Sequence, residues 1–306
     1  MFTNLPKEFY IPASTEVIFV QDFFAKELIG GAELTSDAII KACPHKLFEL
    51  HAHSITETMI RKNKDKIWIF GNQTMTAPHL LQLFIDLNIR YYFFEYDFKP
   101  CLFRSTKKHE LSAGQCDCHN KQHGLFMANW MTHAKTLFWC SDGQRDKFYG
   151  IYPHLKGRTQ DFTQSSTFYP ETILNLRKIR ERKERGEIEI QDRWLILDSD
   201  SWIKGKSEAV KYCEENNMNY ILVGGVTNEQ FLEELAKSKG LVFFPRDIDP
   251  GSRIVTETKL LNGKPIVNEL VLHAKEDWFN KNVLEIEIYL LNAPDRFWRI
   301  VNDKNN

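Results

Sequence analysis

Short apolar runs alternate with longer amphipathic stretches along most of the chain. Glu16 to Val20 (EVIFV) reads as a first strand, and QDFFAKELIGG leads from it into a helix beginning near Ala32. KIWIFGN, a strand ending at Gly71, is followed by the amphipathic APHLLQLFIDLN, and IRYYFFEYDF then supplies a further apolar strand. AKTLFWC (134–140) is another strand candidate, with a helical SDGQRDKFYGIY behind it. Runs of this length bounded by turn residues predict buried strands, and stretches with helical spacing predict helices. The repeating order predicts a mostly parallel sheet.

The pattern changes at FTQSSTFYPETILNLRKIRERKERGEIEIQ (162–191), which begins Ser/Thr-rich and ends in mixed charge. Such a run reads as a solvated helix face or linker, the alternative being a patch for an acidic partner. A second set then starts with RWLILDS, KGKSEAVKYCEENN, NYILVGG, TNEQFLEELAKSKG and LVFFP. The tail, APDRFWRIVNDKNN, is a short amphipathic helix. The expected architecture is α/β: a domain over 1–165 with an insertion at 100–130, a linker at 166–190, a second domain over 191–290 and a terminal helix over 291–306.

Within the second set, Leu241 to Asn268 reads as strand, turn, helix and strand. Pro245 ends the strand, Pro250 and Gly251 turn the chain, and Ser252 is placed to cap a helix over Arg253–Leu261 that Asn262 and Gly263 stop. The amides of Ser252, Arg253 and Ile254 would face a crevice at a strand's carboxyl end, where open α/β sheets bind ligands and helix starts suit phosphate. Asp249 and Glu257 flank the turn.

Composition adds limits. The 306 residues, 42% hydrophobic, suffice for two cores, and a net charge of -1 gives no bulk attraction to nucleic acid or anionic membrane. No apolar segment approaches the roughly 20 residues of a membrane span, and the start, MFTNLPKEFY, lacks a signal-peptide core, so a soluble, cytoplasmic protein is expected. Six cysteines without an export signal point to reduced thiols or a metal.

Several features gather at the predicted strand ends. Gly30 and Gly31 permit a tight turn and close backbone approach to a ligand, though a plain turn needs no more. Lys204 with Gly205, Gly224 with Gly225, and the turn at Gly251 add a cation and further close-approach positions in the second domain. Together they describe a site for a diphosphate joined to polyols. Glu95 and Asp97, after another strand, either bind acceptor hydroxyls or are solvated. The insertion collects Cys101, His109, Cys116 and Cys118, a set suited to a closed, structural zinc site, against the alternative of reduced cysteines and solvated histidines.

Three blocks, VIFVQDFFAKELIGGAE, WIKGKSEAV, and the acid pair Asp249/Glu257 followed by Gly263, Lys264 and Pro265, resemble the retaining, nucleotide-sugar-dependent glycosyltransferases of GT-B fold. The resemblance implies two Rossmann-like domains facing a cleft. It implies that Gly31 approaches the donor, Lys204 holds the diphosphate, Glu257 binds the donor ribose and Asp249 contacts the transferred sugar. Asp249 stands where the family usually has Glu. Ser199 stands where an Arg often precedes the Lys, a charge that Arg253 would supply. The Cys/His insertion is outside the general pattern and only loosely similar to small phage-like members.

The implied reaction is metal-independent transfer from a UDP- or GDP-sugar to a hydroxyl, with retention of configuration. One alternative is an acceptor on hydroxymethylated DNA bases, with Arg104, Lys107, Lys108 and the arginines of the charged run meeting phosphates. Another is a non-catalytic, zinc-containing nucleic-acid-binding protein.

Overall fold

The computed structural model describes residues 10–303. The reading of the extreme amino terminus as lacking a signal-peptide core, and the outer ends of the ranges 1–165 and 291–306, fall outside them. In chain order the first unit comprises β1 (Val17–Gln21), α1 (Gly31–Lys41), β2 (Leu47–His51), α2 (Glu57–Lys62), β3 (Ile67–Phe70), α3 (Pro78–Asp86), β4 (Tyr91–Glu95), α4 (Thr106–Ala113), α5 (Gln122–His133), β5 (Thr136–Trp139), α6 (Asp142–Ile151) and β6 (Gln160–Thr163). The second comprises α7 (Pro170–Glu184), β7 (Trp194–Leu197), α8 (Lys206–Glu215), β8 (Tyr220–Val223), α9 (Asn228–Ala236), β9 (Gly240–Phe243), α10 (Arg253–Leu260), β10 (Lys264–Val267), α11 (Val283–Leu291) and α12 (Ala293–Asn302). Every strand pairing is parallel, in the orders β2-β1-β3-β4-β5-β6 and β10-β9-β7-β8.

The apolar runs become strands because they are buried on both faces. Along β1, Ile18 and Val20 enter one core with Trp68, Phe70, Phe93 and Trp130, while Val17 and Phe19 enter another with Ile69, Phe94 and Phe138. Two-residue alternation thus divides a continuous hydrophobic run between two helix layers. The second sheet repeats this with Leu195, Leu241 and Phe243 on one face and Ile196 and Val242 on the other. Strand order reverses between β1 and β3 and between β7 and β9. Those switch points are where open α/β sheets leave a crevice.

The expected linker is corrected. Pro170–Glu184 is a helix whose Ile173, Leu176 and Ile179 are buried in the second core. Its charges are paired within that domain: Arg180 Nη1 lies 2.5 Å from Glu287 Oε1, Arg177 Nη2 2.7 Å from Oε2, and Arg182 Nη1 2.6 Å from Glu233. Buried charge demands such partners, which a local charge count does not reveal.

The terminal helix forms, and it packs on the first unit. Phe297, Trp298 and Val301 join the core of Val17 and Phe19. The Val301 carbonyl, left open by the helix end, accepts from Arg90 Nη2 and Tyr92 Oη, each at 2.9 Å. The chain therefore crosses between the units twice, and the crossings touch: Gln164 Nε2 donates to the Ala293 carbonyl and Ser165 Oγ meets Tyr289 Oη at 3.1 Å.

Candidate functional site

A cavity of about 1000 Å³ opens between the units, lined from both sides. Gly30 and Gly31 at the start of α1 face Lys204, Gly224, Gly225 and the turn from Asp249 through Gly251, Ser252, Arg253 and Ile254 to Glu257. These residues lie far apart in sequence, and the strand ends at the two switch points bring them together. The junction is close, since a Cβ built on Gly31 would lie 3.9 Å from Arg253 Cδ.

The turn after β9 is fixed by backbone. The Asp249 amide donates to the Leu270 carbonyl at 2.9 Å, and its own carbonyl accepts from Leu272 at 3.1 Å. Its carboxylate lies 3.5 Å from Lys204 Nζ, a separation that holds the ammonium over the cavity without binding it tightly. Ser252 occupies the N-cap position, but its hydroxyl makes no cap bond. Its carbonyl accepts the Thr256 hydroxyl at 3.2 Å. The first amides of an α-helix have no partner inside the helix, so the start of α10 presents donors to the cavity.

Arg253 is anchored before any ligand arrives. Its Nη1 donates to the Thr167 carbonyl at 2.6 Å and the guanidinium stacks 3.9 Å over Phe168. Burial lowers its pKa, with Glu257 opposing the shift. Glu257 is 5% exposed, and burial raises its pKa against the pull of Arg253. A buried carboxylate one helical turn from an arginine is a directed hydrogen-bond acceptor at the base of a polar cleft.

One residue predicted for the donor side, Gly205, lies off the cavity. Gly205, at φ 64, caps the start of α8, and a Cβ there would collide with the Phe244 carbonyl. Its conformation serves the packing of that helix start on the strand end. Lys204 precedes it in a short 3-10 turn, so this lysine lies ahead of the helix. Gly224 has a double duty, because it lines the cavity while its missing side chain admits the Asp198 carbonyl.

The acids expected on the acceptor side separate. Asp97 lines the cavity and Glu95 does not. Glu95 is 0% exposed, and its Oε1 accepts from Lys99 Nζ at 2.8 Å and the Asp97 amide at 2.9 Å. Burial pushes its pKa up to about 7, against the Lys99 charge. Asp97 also suffers burial, but Lys99 and Arg104 outweigh it and the carboxyl is lowered. Arg104 is committed to Asp97 and to Asn72, and Lys107 lies 3.3 Å from Glu110. Most of the positive charge assigned to a DNA backbone is thus engaged internally, as it is in the charged run.

The soft ligands of the insertion come together outside the cleft, with one ligand atom from each of Cys101, His109, Cys116 and Cys118 all within 4.8 Å of one another. Sequence reasoning missed Tyr96, Ser166, Tyr169, Asp198, Thr227 and Asn228, which also line the cavity. Ser166 and Tyr169 fall in the stretch taken for a linker. Thr227 carries a sequence signal, the capping box with Gln230.

No family model and no curated protein matches the sequence. Solved structures do. Anabaena Alr3699/HepE in complex with UDP aligns at a TM-score of 0.54 and 11% identity, covering 94% of this chain and 96% of its own. Its complex with UDP-glucose aligns at 0.53 and 10% identity, over 94% and 96% of the two chains. An alpha-glucosyltransferase in complex with UDP and a 13-mer DNA containing a HMU base aligns at 0.49 and 11%, over 94% and 90%. The two parallel sheets of six and four strands, facing each other across a cleft, give this chain the GT-B fold.

Proposed function

We propose that the protein is a glycosyltransferase that moves a sugar from a nucleoside diphosphate sugar to a hydroxyl acceptor, with retention and without a catalytic metal. The observation that carries this reading is the cleft itself, where Gly31, Lys204, Asp249, the α10 start and Glu257 face one cavity. A fold neighbour, HepE, is known in complex with UDP-glucose.

In this reading the diphosphate lies against the α10 amides between Lys204 and Arg253. Lys204 and Arg253 neutralise the charge that develops on the leaving phosphate, a contribution that grows as the cleft excludes water. Arg253 acts from a fixed position because Phe168 and Thr167 already hold its guanidinium. Glu257 accepts the ribose hydroxyls and Asp249 the hydroxyls of the transferred sugar. The leaving phosphate oxygen takes the acceptor's proton. Asp97 faces the acceptor, while Glu95 supports it from beneath through Lys99. A non-catalytic nucleic-acid-binding role would leave this two-sided cleft unexplained.

The test is a thermal shift with UDP and GDP, followed by a nucleotide-sugar panel scored for transfer to hydroxyl acceptors, hydroxymethylated DNA among them. Saturation at a hundredfold over Kd contributes about 2.7 kcal/mol to stability. Lys204→Ala and Glu257→Ala should each abolish most transfer while the fold persists. Absence of stabilisation by any nucleoside diphosphate, or near-normal turnover in either variant, overturns the reading.

A further inference from the structure

The insertion after β4 has little to hold it by packing. None of the residues of α4 is buried, and Leu111 is 66% exposed. A helix of eight residues is too short to persist alone in water. Yet four side chains from three segments meet there: Cys101 from the turn after β4, His109 from α4, and Cys116 and Cys118 from the loop before α5.

The spacing of the ligand atoms has a specific form. His109 Nδ1 lies 3.5 Å from Cys101 Sγ and 3.2 Å from Cys118 Sγ, and Cys116 Sγ lies 3.7 Å from Cys101 Sγ. A tetrahedral zinc ion, with Zn–S near 2.3 Å and Zn–N near 2.0 Å, sets its ligands about 3.8 Å apart for two sulfurs and about 3.5 Å for sulfur and nitrogen. A disulfide needs sulfurs about 2.05 Å apart, which the Cys101 and Cys116 sulfurs are not. Backbone crowding supports the same centre, because a Cβ on Gly124 would overlap the Cys118 carbonyl. The start of α5 is thereby pressed onto the Cys116–Cys118 loop.

We infer that Cys101, His109, Cys116 and Cys118 bind one zinc ion whose role is structural. Four protein ligands complete the tetrahedron and leave no position for water or substrate. Three thiolates with one imidazole select zinc over the oxygen-seeking magnesium and calcium. The ion joins the end of the β4 loop to α4 and to the α5 approach, replacing the core this segment lacks. It also sets the start of α4, where Ser105 Oγ accepts the Lys108 amide at 2.9 Å and donates to Asp247 of the second domain. Asp247 stands two residues before Asp249, so the metal anchors the contact that closes this side of the cleft.

The experiment uses the full chain, expressed with zinc in the medium and purified under reductant. Elemental analysis should find about one zinc per chain, falling to about a tenth or less in the Cys116→Ser, Cys118→Ser double variant. His109→Cys should retain the metal and His109→Ala should lose it. Chelation should lower the thermal midpoint, and zinc but not magnesium should restore it. In case the variants fail to fold, the unaltered chain loaded with cobalt should show the intense visible bands of tetrahedral thiolate coordination. Metal content near zero with no cobalt spectrum, or a Cys101–Cys116 disulfide found by mass spectrometry in protein purified without reductant, overturns the assignment. None of these readouts depends on glycosyl transfer.

Discussion

Two glycines at helix starts separate ligand approach from packing, and their alanine variants should behave in opposite ways. Gly31 opens α1 with ordinary helical geometry, and an added Cβ meets Arg253 Cδ at a comfortable 3.9 Å. Alanine is favoured over glycine within helices by up to about 1 kcal/mol, so Gly31→Ala should melt at or slightly above the unaltered protein. Gly205 sits at φ 64 with the Phe244 carbonyl in the path of a side chain. Left-handed geometry alone costs an alanine about 1 to 2 kcal/mol, and relieving the overlap adds to that. Gly205→Ala should therefore lose roughly 2 to 4 kcal/mol, a fall in melting temperature on the order of 5 to 10 °C. UDP binding should show the reverse order. A methyl on Gly31 enters the space between the domains where the diphosphate is placed, and such overpacking costs about 1 to 3 kcal/mol, which is roughly five- to 150-fold in Kd. Calorimetric UDP titration with melting curves reads both effects. If Gly31→Ala binds UDP as tightly as the unaltered protein, or melts as low as Gly205→Ala, the placement of the donor beside Gly31 is wrong.

The terminal helix and a buried histidine give two further tests. Phe297 is 0% exposed, with its ring 4.4 Å from that of Phe138, so Phe297→Ala should cost about 3 to 5 kcal/mol in urea unfolding; a loss below about 1 kcal/mol would show α12 to be peripheral. Burial pushes His273 down to about 4 although Asp249 pulls it upward, so it is neutral in the folded chain, whereas the unfolded chain protonates it near 6.5. Its contribution to stability is full above 6.5 and is lost as pH falls toward 4, by roughly 3 kcal/mol, and His273→Gln should flatten that acid limb of the melting curve; an unchanged limb assigns the acid sensitivity elsewhere.

The strands buried on both faces were legible because each is a short run of mostly apolar residues stopped by a turn or charged residue, such as Asp22 after β1, Gly71 after β3 and Pro245 after β9. β2 and β6 escaped, whereas the edge strands β8 and β10 of the other sheet, YILV and KPIV, stay mostly apolar and were legible. LFELH and QDFT are only partly covered, and each mixes polar with apolar residues in a pattern that no hydrophobic period marks. The same limit misplaced α7. Its arginines read as solvated because their partners, Glu233 and Glu287, lie on α9 and α11, far along the chain. The Cys/His set was legible by residue type alone, since few loops of that length hold so many soft ligands.

The cleft shows where such reading stops. A glycine, a lysine or an acid at a strand end advertises chemistry, but nothing local tells which way its side chain faces. Glu95 and Asp97 stand two residues apart and would point alike in an extended strand. The strand ends at Glu95, however, and Glu95 turns under the sheet end to meet Lys99 while Asp97 reaches the cavity. Lys99 lies between them, its buried ammonium 2.8 Å from the Glu95 carboxylate and 3.6 Å from that of Asp97, so it holds Glu95 the more tightly. Burying one charge fixes the position of its partner, and that partner's place determines which acid remains for a ligand. The acid left facing the cavity is also the one that Arg104 holds, so Arg104 fixes how Asp97 is presented to the cavity.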